Sequence, residues 1–316
     1  MNAPRRHQRG VALLVALLVV ALATILIAAL LDRGELVLAR TRNTLRGEQA
    51  EAYAQGLEAY AAKVLLDIPA GQADTNTSPW AMPLPPQPVP GGTIGATMRD
   101  QNGCFNLNNL ASKNAAEREE WIGIFRRLLT AVGLQADLVG AVRGWLDPDL
   151  RATETGIYLA QPVPYRPRGG LFAHVSELRL VRGFGGDAYA RLAPYVCALP
   201  PGTKLNVNTA PVPVLMSLGD GMTRATAEKL WSRGQARYAD VNTFLHDAGI
   251  PVTADLYHRL GVSSTYFLAR SDILLDGVPF TFYSLIERNG LRVLQRSRGA
   301  DLALVAPAPI AAGEAP

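Results

Sequence analysis

The sequence predicts an α+β protein: a long N-terminal apolar helix packed on a small antiparallel sheet, with a large, mainly α-helical insertion. Three observations predict it. Val11–Leu31 is a run of 21 residues without a charge. Strand-like segments with Asn-Gly and Asp-Gly turns flank a helical stretch of about 150 residues, which reads as an insertion. At 316 residues, 48% hydrophobic and 18% charged, the chain can bury real cores, which rules out a mostly disordered protein. Lys+Arg 31 less Asp+Glu 27 leaves +4, and Arg5, Arg6 and Arg9 supply three of those charges. The body is therefore nearly neutral, a poor footing for a polyanion partner.

At about 1.5 Å per residue, Val11–Leu31 covers roughly 31 Å, one bilayer core. Arg5-Arg6-His7-Gln8-Arg9 before it and Asp32 after it place the N-terminus in the cytoplasm and the bulk outside. A secretory signal peptide has a shorter apolar region with its small-residue site behind it. Here the small residue with a basic approach is Gly10, in front of the run. This arrangement resembles the type IV prepilin class. The resemblance implies cleavage by a prepilin peptidase between Gly10 and Val11 and methylation of the new amine. Residues 1–10 would then be a leader and 11–31 the transmembrane helix.

Members of that class usually carry a glutamate five residues into the mature chain, where this chain has Val15. A carboxylate in hydrocarbon is costly unless paired with a neighbour's amine. A subunit with no neighbour ahead of it is better served by Val; the plain alternative is drift to another apolar residue.

From Glu35 to Asp67 apolar residues recur at helical spacing, with Tyr53, Leu57, Tyr60 or Ala61, and Val64 on one stripe. Pro69 ends this helix. Residues 69–90 hold seven prolines and read as an extended surface loop. Thr93–Asp100 alternates as a strand and meets Asn102-Gly103, a hairpin-type turn. Ser264–Ile273, Pro279–Glu287 and Leu291–Arg296 form a meander, with Asp276-Gly277 and Asn289-Gly290 as tight turns. These segments give an α/β domain from 32–107 and 263–301, interrupted by an insertion at 108–262. The Ala- and Pro-rich tail, 302–316, is expected to be disordered.

The insertion carries an internal repeat: Phe105-Asn106-Leu107-Asn108 and Leu205-Asn206-Val207-Asn208 each precede a helix-rich stretch. Asparagine caps helices and bonds nearby backbone, so a structural role is expected for both. The second repeat resembles a helix-hairpin-helix or SAM-like module of DNA-binding competence proteins, which offers the alternative function of a membrane-anchored DNA-binding protein. Its turn, however, is Gly219-Asp220-Gly221, with an acid where a phosphate would sit. Six basic and five acidic residues between Lys204 and Val262 add little attraction, so no nucleic acid is expected.

Five blocks carry a wider resemblance, in order along the chain: the apolar run from Gly10, Cys104–Leu110, Gly144–Asp149, Val175–Phe184 and Tyr195–Leu215. Together they resemble the protein K family of type II secretion system minor pseudopilins, over about two-thirds of the chain. The resemblance implies a pseudopilin fold with two SAM-like repeats in the insertion. It also implies a structural part in the periplasmic pseudopilus, which drives folded proteins across the outer membrane; Val15 and the bulk of the insertion point to a place at its tip. Implied partners are minor pseudopilins I and J, major pseudopilin G, the prepilin peptidase and the inner membrane.

Cys104 and Cys197, the two cysteines, stand beside the first repeat and just before the second. In an exported domain two cysteines suggest one disulfide, the alternative being two buried thiols. Their matching positions favour a bridge, and the resemblance implies the same. Asp147-Pro148-Asp149, followed by Glu154, clusters three carboxylates in a loop that suits Ca²⁺, and the resemblance implies calcium in this domain. Arg151 and the missing closing Glu exclude an EF-hand, and turn formation with helix capping is the alternative. His7, His174, His246 and His258 are scattered, with no metalloprotease pair, nucleophile elbow or phosphate loop, so no catalytic site is expected.

Overall fold

A computed structural model describes residues 8–69, 71–251 and 254–299. Most of the segment read as a leader, and all of the tail at 302–316, lie outside the described residues. The chain divides into two units, residues 1–53 and 54–316.

Helix α1 (Gln8–Leu66) opens the chain, and the Gly10–Val11 bond falls in its first turns. Within the first unit every residue from Val11 to Leu45 is exposed, although Val11–Leu31 is apolar all round. An apolar helix with no protein against it is suited to lipid or to other helices. Thr24, the one hydroxyl in that run, donates to the Val20 carbonyl at 2.6 Å, so the span leaves no polar side chain unsatisfied.

In the second unit, α1 buries Ala54, Leu57, Ala61 and Leu65. Spacings of three and four put these on one face, and the two alanines let the helix approach the sheet closely. Tyr60, expected as a candidate for that stripe, is 47% exposed; Ala61 takes the place. Ala61 and Leu65 pack with Trp80, Phe267, Ala269 and Ile286.

Strands β1 (Leu84–Val89) and β2 (Gly92–Asp100) follow, joined by Pro90-Gly91 with Gly91 at φ 87°, the Pro-Gly order of a type II turn. β1 corrects the reading of 69–90 as loop throughout. Pro85, Pro86 and Pro88 are tolerated because β1 is an edge strand with an irregular register to β2.

Asn102-Gly103 is not a hairpin turn either. Beyond it the chain leaves the sheet through β3 (Phe105–Asn106) and enters α2 (Ala115–Ala131), α3 (Leu138–Leu146), α4 (Arg151–Leu159) and α5 (Gly186–Leu192). After β4 (Val196–Cys197) and β5 (Leu205–Asn206) come α6 (Val212–Met216), α7 (Arg224–Trp231), α8 (Val241–Ala248), α9 (Ala254–Arg259) and β6 (Leu260–Gly261).

The region is thus not purely helical: β3 pairs with β4, and β5 with β6, both parallel. At two residues each, these pairs are too short for a periodic signal in sequence. One hydrophobic core spans both repeats, from Phe105, Trp121 and Phe125 to Leu215 and Phe244. Asn114, Thr223 and Asp240 cap α2, α7 and α8 through side-chain oxygens.

The chain returns as β7 (Tyr266–Leu275), β8 (Val278–Glu287) and β9 (Arg292–Arg298). The sheet is antiparallel throughout, in the order β1-β2-β7-β8-β9. Asp276 and Gly277 both have positive φ (46° and 78°), as a type I′ hairpin turn requires. Asn289-Gly290 instead sits in a longer connection, because Glu287 pairs with Arg292 and Leu291 takes φ 46°.

Candidate functional site

The two Asn repeats build the junction between the sheet and the helical region. In each, the first asparagine accepts the amide of the second: Asn108 N to Asn106 Oδ1 is 3.1 Å, and Asn208 N to Asn206 Oδ1 is 3.0 Å. The second asparagine then brackets one distant residue, taking its N–H and donating to its C=O. Asn108 does this to Phe172 (2.8 and 3.0 Å) and also donates to Leu199 O. Asn208 does it to Tyr238 (2.7 and 3.0 Å). All four asparagines are buried, so each bond satisfies a backbone group that water cannot reach.

The outward partners differ. Asn106 accepts from Leu199 N and donates to Pro200 O, while Asn109 accepts from Gly202 N and donates to Thr203 O. The first repeat therefore holds the linker that leads into the second. Asn206 instead donates to Asp74 O, Asp100 Oδ2 and Ser264 Oγ. Thr209, in the place corresponding to Asn109, donates its hydroxyl to the same Asp100 oxygen.

Asp100 is the last residue of β2 and Ser264 stands just before β7, so one carboxylate touches both the exit and the return of the chain. Ser264 Oγ donates to Asp100 Oδ2 at 2.7 Å, and Asn102 N to Oδ1 at 2.7 Å. Burial pushes the Asp100 carboxyl up to about 6; the bonds from Thr209, Ser264 and Asn102 oppose the rise, and the Asp74 charge adds to it.

Asp74, fully buried, is forked by Arg288 (2.7 and 2.8 Å) and takes further bonds from Trp80 Nε1 and Ser264 N. A second buried carboxylate, Glu58 on α1, is forked by Arg296 of β9 and receives the Ser284 hydroxyl. Burial alone would raise its pKa; the bonds from Arg296 and Ser284 outweigh that and hold it below the usual value.

Cys104 and Cys197 are joined by a disulfide, with Cα atoms 5.8 Å apart and a separation of 93 positions in sequence. The bridge lies beside the β3–β4 pair and packs with Leu199 and Tyr266 at the base of the helical region.

Two carboxylates of the acidic loop, Asp147 and Glu154, have protein partners. Asp147 Oδ1 accepts the Asp149 amide at 2.9 Å, closing a turn after α3, and Asp149 is exposed. Glu154 faces Arg182 at 3.8 Å. Among the described residues no group of three His, Cys, Asp or Glu is arranged to hold a metal ion. Asp220, in the turn between α6 and α7, is 91% exposed and pairs with Arg127 of α2 at 3.0 Å.

Sequence reasoning missed Asp74, Asp100, Ser264 and Arg288, which come from four separate stretches and carry no local motif. Thr209 had a usable signal: Asn106-x-Asn108-Asn109 aligns with Asn206-x-Asn208-Thr209.

An apolar helix of bilayer length that runs into an antiparallel sheet, interrupted by a helical region stapled at its base, defines a pseudopilin. Comparison with known proteins agrees. Two family models, each described as type II secretion system (T2SS), protein K, match residues 103–201 and 205–263. Type II secretion system protein K of Pectobacterium carotovorum is 32% identical over 93% of this chain and 98% of its own length. That of Pseudomonas aeruginosa is 33% identical over 93% and 94%. A chain in the crystal structure of the GspK-GspI-GspJ complex from enterotoxigenic Escherichia coli superimposes with a TM-score of 0.73 at 30% identity, covering 83% of this chain and all of that one. The chain belongs to the type II secretion system protein K family of minor pseudopilins. Membership displaces the alternative of a DNA-binding protein.

Proposed function

We propose that this subunit sits at the tip of the periplasmic pseudopilus, anchored before assembly in the inner membrane with its N-terminus in the cytoplasm. The observation that carries this is the helical region between Asp100 and Tyr266, about half the chain, set on one small sheet. Such bulk is hard to repeat along a shaft but meets no neighbour above a tip. Val15 supports the same reading, since it offers no carboxylate to the amine of a subunit ahead. Labelling the helical region and imaging filaments tests the placement: label at one end is expected, and label spaced along the shaft would overturn it.

Minor pseudopilins I and J are its neighbours, by analogy with the GspK-GspI-GspJ complex, followed by major pseudopilin G. The role is structural, not catalytic, as for the rest of the family. The boundaries supporting it are a leader at 1–10, a transmembrane helix at 11–31, an α/β domain at 32–107 with 263–301, and an insertion of two SAM-like repeats at 108–262. Prepilin peptidase cuts after Gly10, so sequencing of the mature protein should begin at Val11. Calcium at Asp147, Asp149 and Glu154 is supported by their residue types and by the unsatisfied, buried Glu154 Oε2. Calorimetric titration of the chelator-treated protein with Ca²⁺ decides that point.

A further inference from the structure

The chain holds two Asn-Gly pairs, and the fold treats them differently. Asn102 is 3% exposed and its carboxamide is engaged at both ends, accepting from the Thr265 and Tyr266 amides and donating to Lys204 O. Gly103 is packed so closely that a Cβ there would lie 2.6 Å from Thr209 Oγ1. Asn289 and Gly290 are both exposed. Among the described residues the Asn289 carboxamide has no hydrogen-bond partner.

Asparagine is chemically labile, most of all before glycine, which has no Cβ to block the approach of its own amide nitrogen. In this reaction the Gly290 nitrogen attacks Asn289 Cγ. The new N–C bond displaces Nδ2, which leaves as ammonia with the amide proton, and a succinimide ring remains. Water, the co-reactant, then opens the ring. Breaking the bond to Cγ gives aspartate. Breaking the bond to the Asn289 carbonyl carbon gives isoaspartate, whose main chain runs through Cβ and Cγ. Nothing is oxidised or reduced.

We propose that Asn289-Gly290 is a self-modification site whose isoaspartyl product loosens the buried anchor of Asp74. The link is the shortness of the connection. Glu287 pairs with Arg292, which donates twice to Glu287 Oε2 (2.6 and 3.0 Å), so only Arg288–Leu291 span β8 to β9. Arg288 stands at one end: its amide donates to Thr265 O at 2.8 Å, and its guanidinium forks Asp74 and stacks over Phe267. Leu291 stands at the other end, already at φ 46°. An extra main-chain carbon between these two points displaces Arg288 from Asp74. Aspartate adds charge but no length, so it leaves the anchor in place.

Opening decides which pair reacts. An exposed turn opens at little cost, whereas a buried site reacts only when its surroundings come apart. The Asn102 carboxamide must leave Lys204, Thr265 and Tyr266 before its Cγ can meet the Gly103 nitrogen. The folded chain therefore modifies residue 289 and spares residue 102.

Peptide mapping of the full-length protein, held folded in mildly alkaline buffer made with heavy-oxygen water, tests this. Label should enter at residue 289 roughly 100-fold faster than at residue 102, and the two rates should converge in denaturant. Gly290→Ala should slow the reaction about tenfold. The fold accepts that change, because φ at 290 is not positive and a Cβ there meets only the flexible Arg292 side chain, at 3.2 Å. Ser264 N donates to Asp74, so its amide protection reads the anchor. In the isoaspartyl fraction that protection should fall about tenfold, while Asn289→Asp keeps it. No label at 289, equal rates at 289 and 102 in the folded protein, unchanged Ser264 protection in the isoaspartyl fraction, or an equal fall in Asn289→Asp would each overturn the proposal.

Discussion

Asn106 and Asn206 make the same turn, accepting an amide two residues on at 3.1 and 3.0 Å, yet their carboxamide N–H groups end on different chemistry. Asn106 meets the Pro200 carbonyl and the Asn109 side chain, a neutral grip on the linker between the repeats. Asn206 meets Asp74 O, Asp100 and Ser264, and so ties its repeat to the sheet beside two buried carboxylates. One local motif thus serves two functions. The turn is set by the asparagine itself, while the function is set by whatever chain the fold brings to the amide. The disulfide belongs to the first repeat only, which makes the first grip covalent and leaves the second to polar contacts.

That asymmetry can be broken most severely at the bridge. Cys104→Ser with Cys197→Ser releases a loop closed across 93 residues, for an expected loss of about 4–5 kcal/mol on the chain-entropy model. Chemical denaturation of the double variant measures it. If the second repeat is anchored independently, protection at Asn206 should fall less than protection at Asn106.

The polar anchor comes next. Arg288→Met leaves Asp74 buried without its cation, and breaking a buried pair this way costs about 3–4 kcal/mol. Arg288 also stacks over Phe267 at 4.7 Å, a contact that Met retains in part. A loss below about 1 kcal/mol would show that Trp80 and Ser264 suffice to hold Asp74.

The asparagines permit a direct comparison. Asn108→Ala strands three backbone groups, Phe172 N–H and C=O and Leu199 C=O, where Asn208→Ala strands two on Tyr238. Expected losses are about 3 and about 2 kcal/mol, and thermal unfolding should rank the variants in that order.

Much of this molecule was legible in its sequence where the signal was local. The apolar run, the helix ended by Pro69, the meander with its Asp-Gly turn and the repeated Asn-x-Asn are each written in consecutive residues. β1 was hidden because proline reads as loop, and only its edge position makes it tolerable. The tight turn expected at Asn102-Gly103 failed because the side chain of Asn102 is spent on Lys204, Thr265 and Tyr266, partners more than 100 residues away. The polar junction was illegible for the same reason: Asp74, Asp100, Asn206, Ser264 and Arg288 meet only once the whole topology is in place. Burial makes a connected polar cluster of such ordinary residues, and burial is a property of the fold.

The smallest effect is expected where the two repeats touch each other instead of the sheet. Arg127 of α2 donates to the Ser217 carbonyl at 2.7 Å and to Asp220 at 3.0 Å. Ser217 is fully buried, so its carbonyl has few other donors, whereas the Asp220 side chain is 91% exposed and its attraction is screened by water. Arg127→Ala should therefore cost about 1 kcal/mol through the lost carbonyl bond, while Asp220→Ala leaves the melting temperature unchanged. Equal losses in the two variants would mean that the ion pair, not the carbonyl bond, joins the repeats. The neutral grip of the first repeat would then need a charged supplement, which would narrow its contrast with the second.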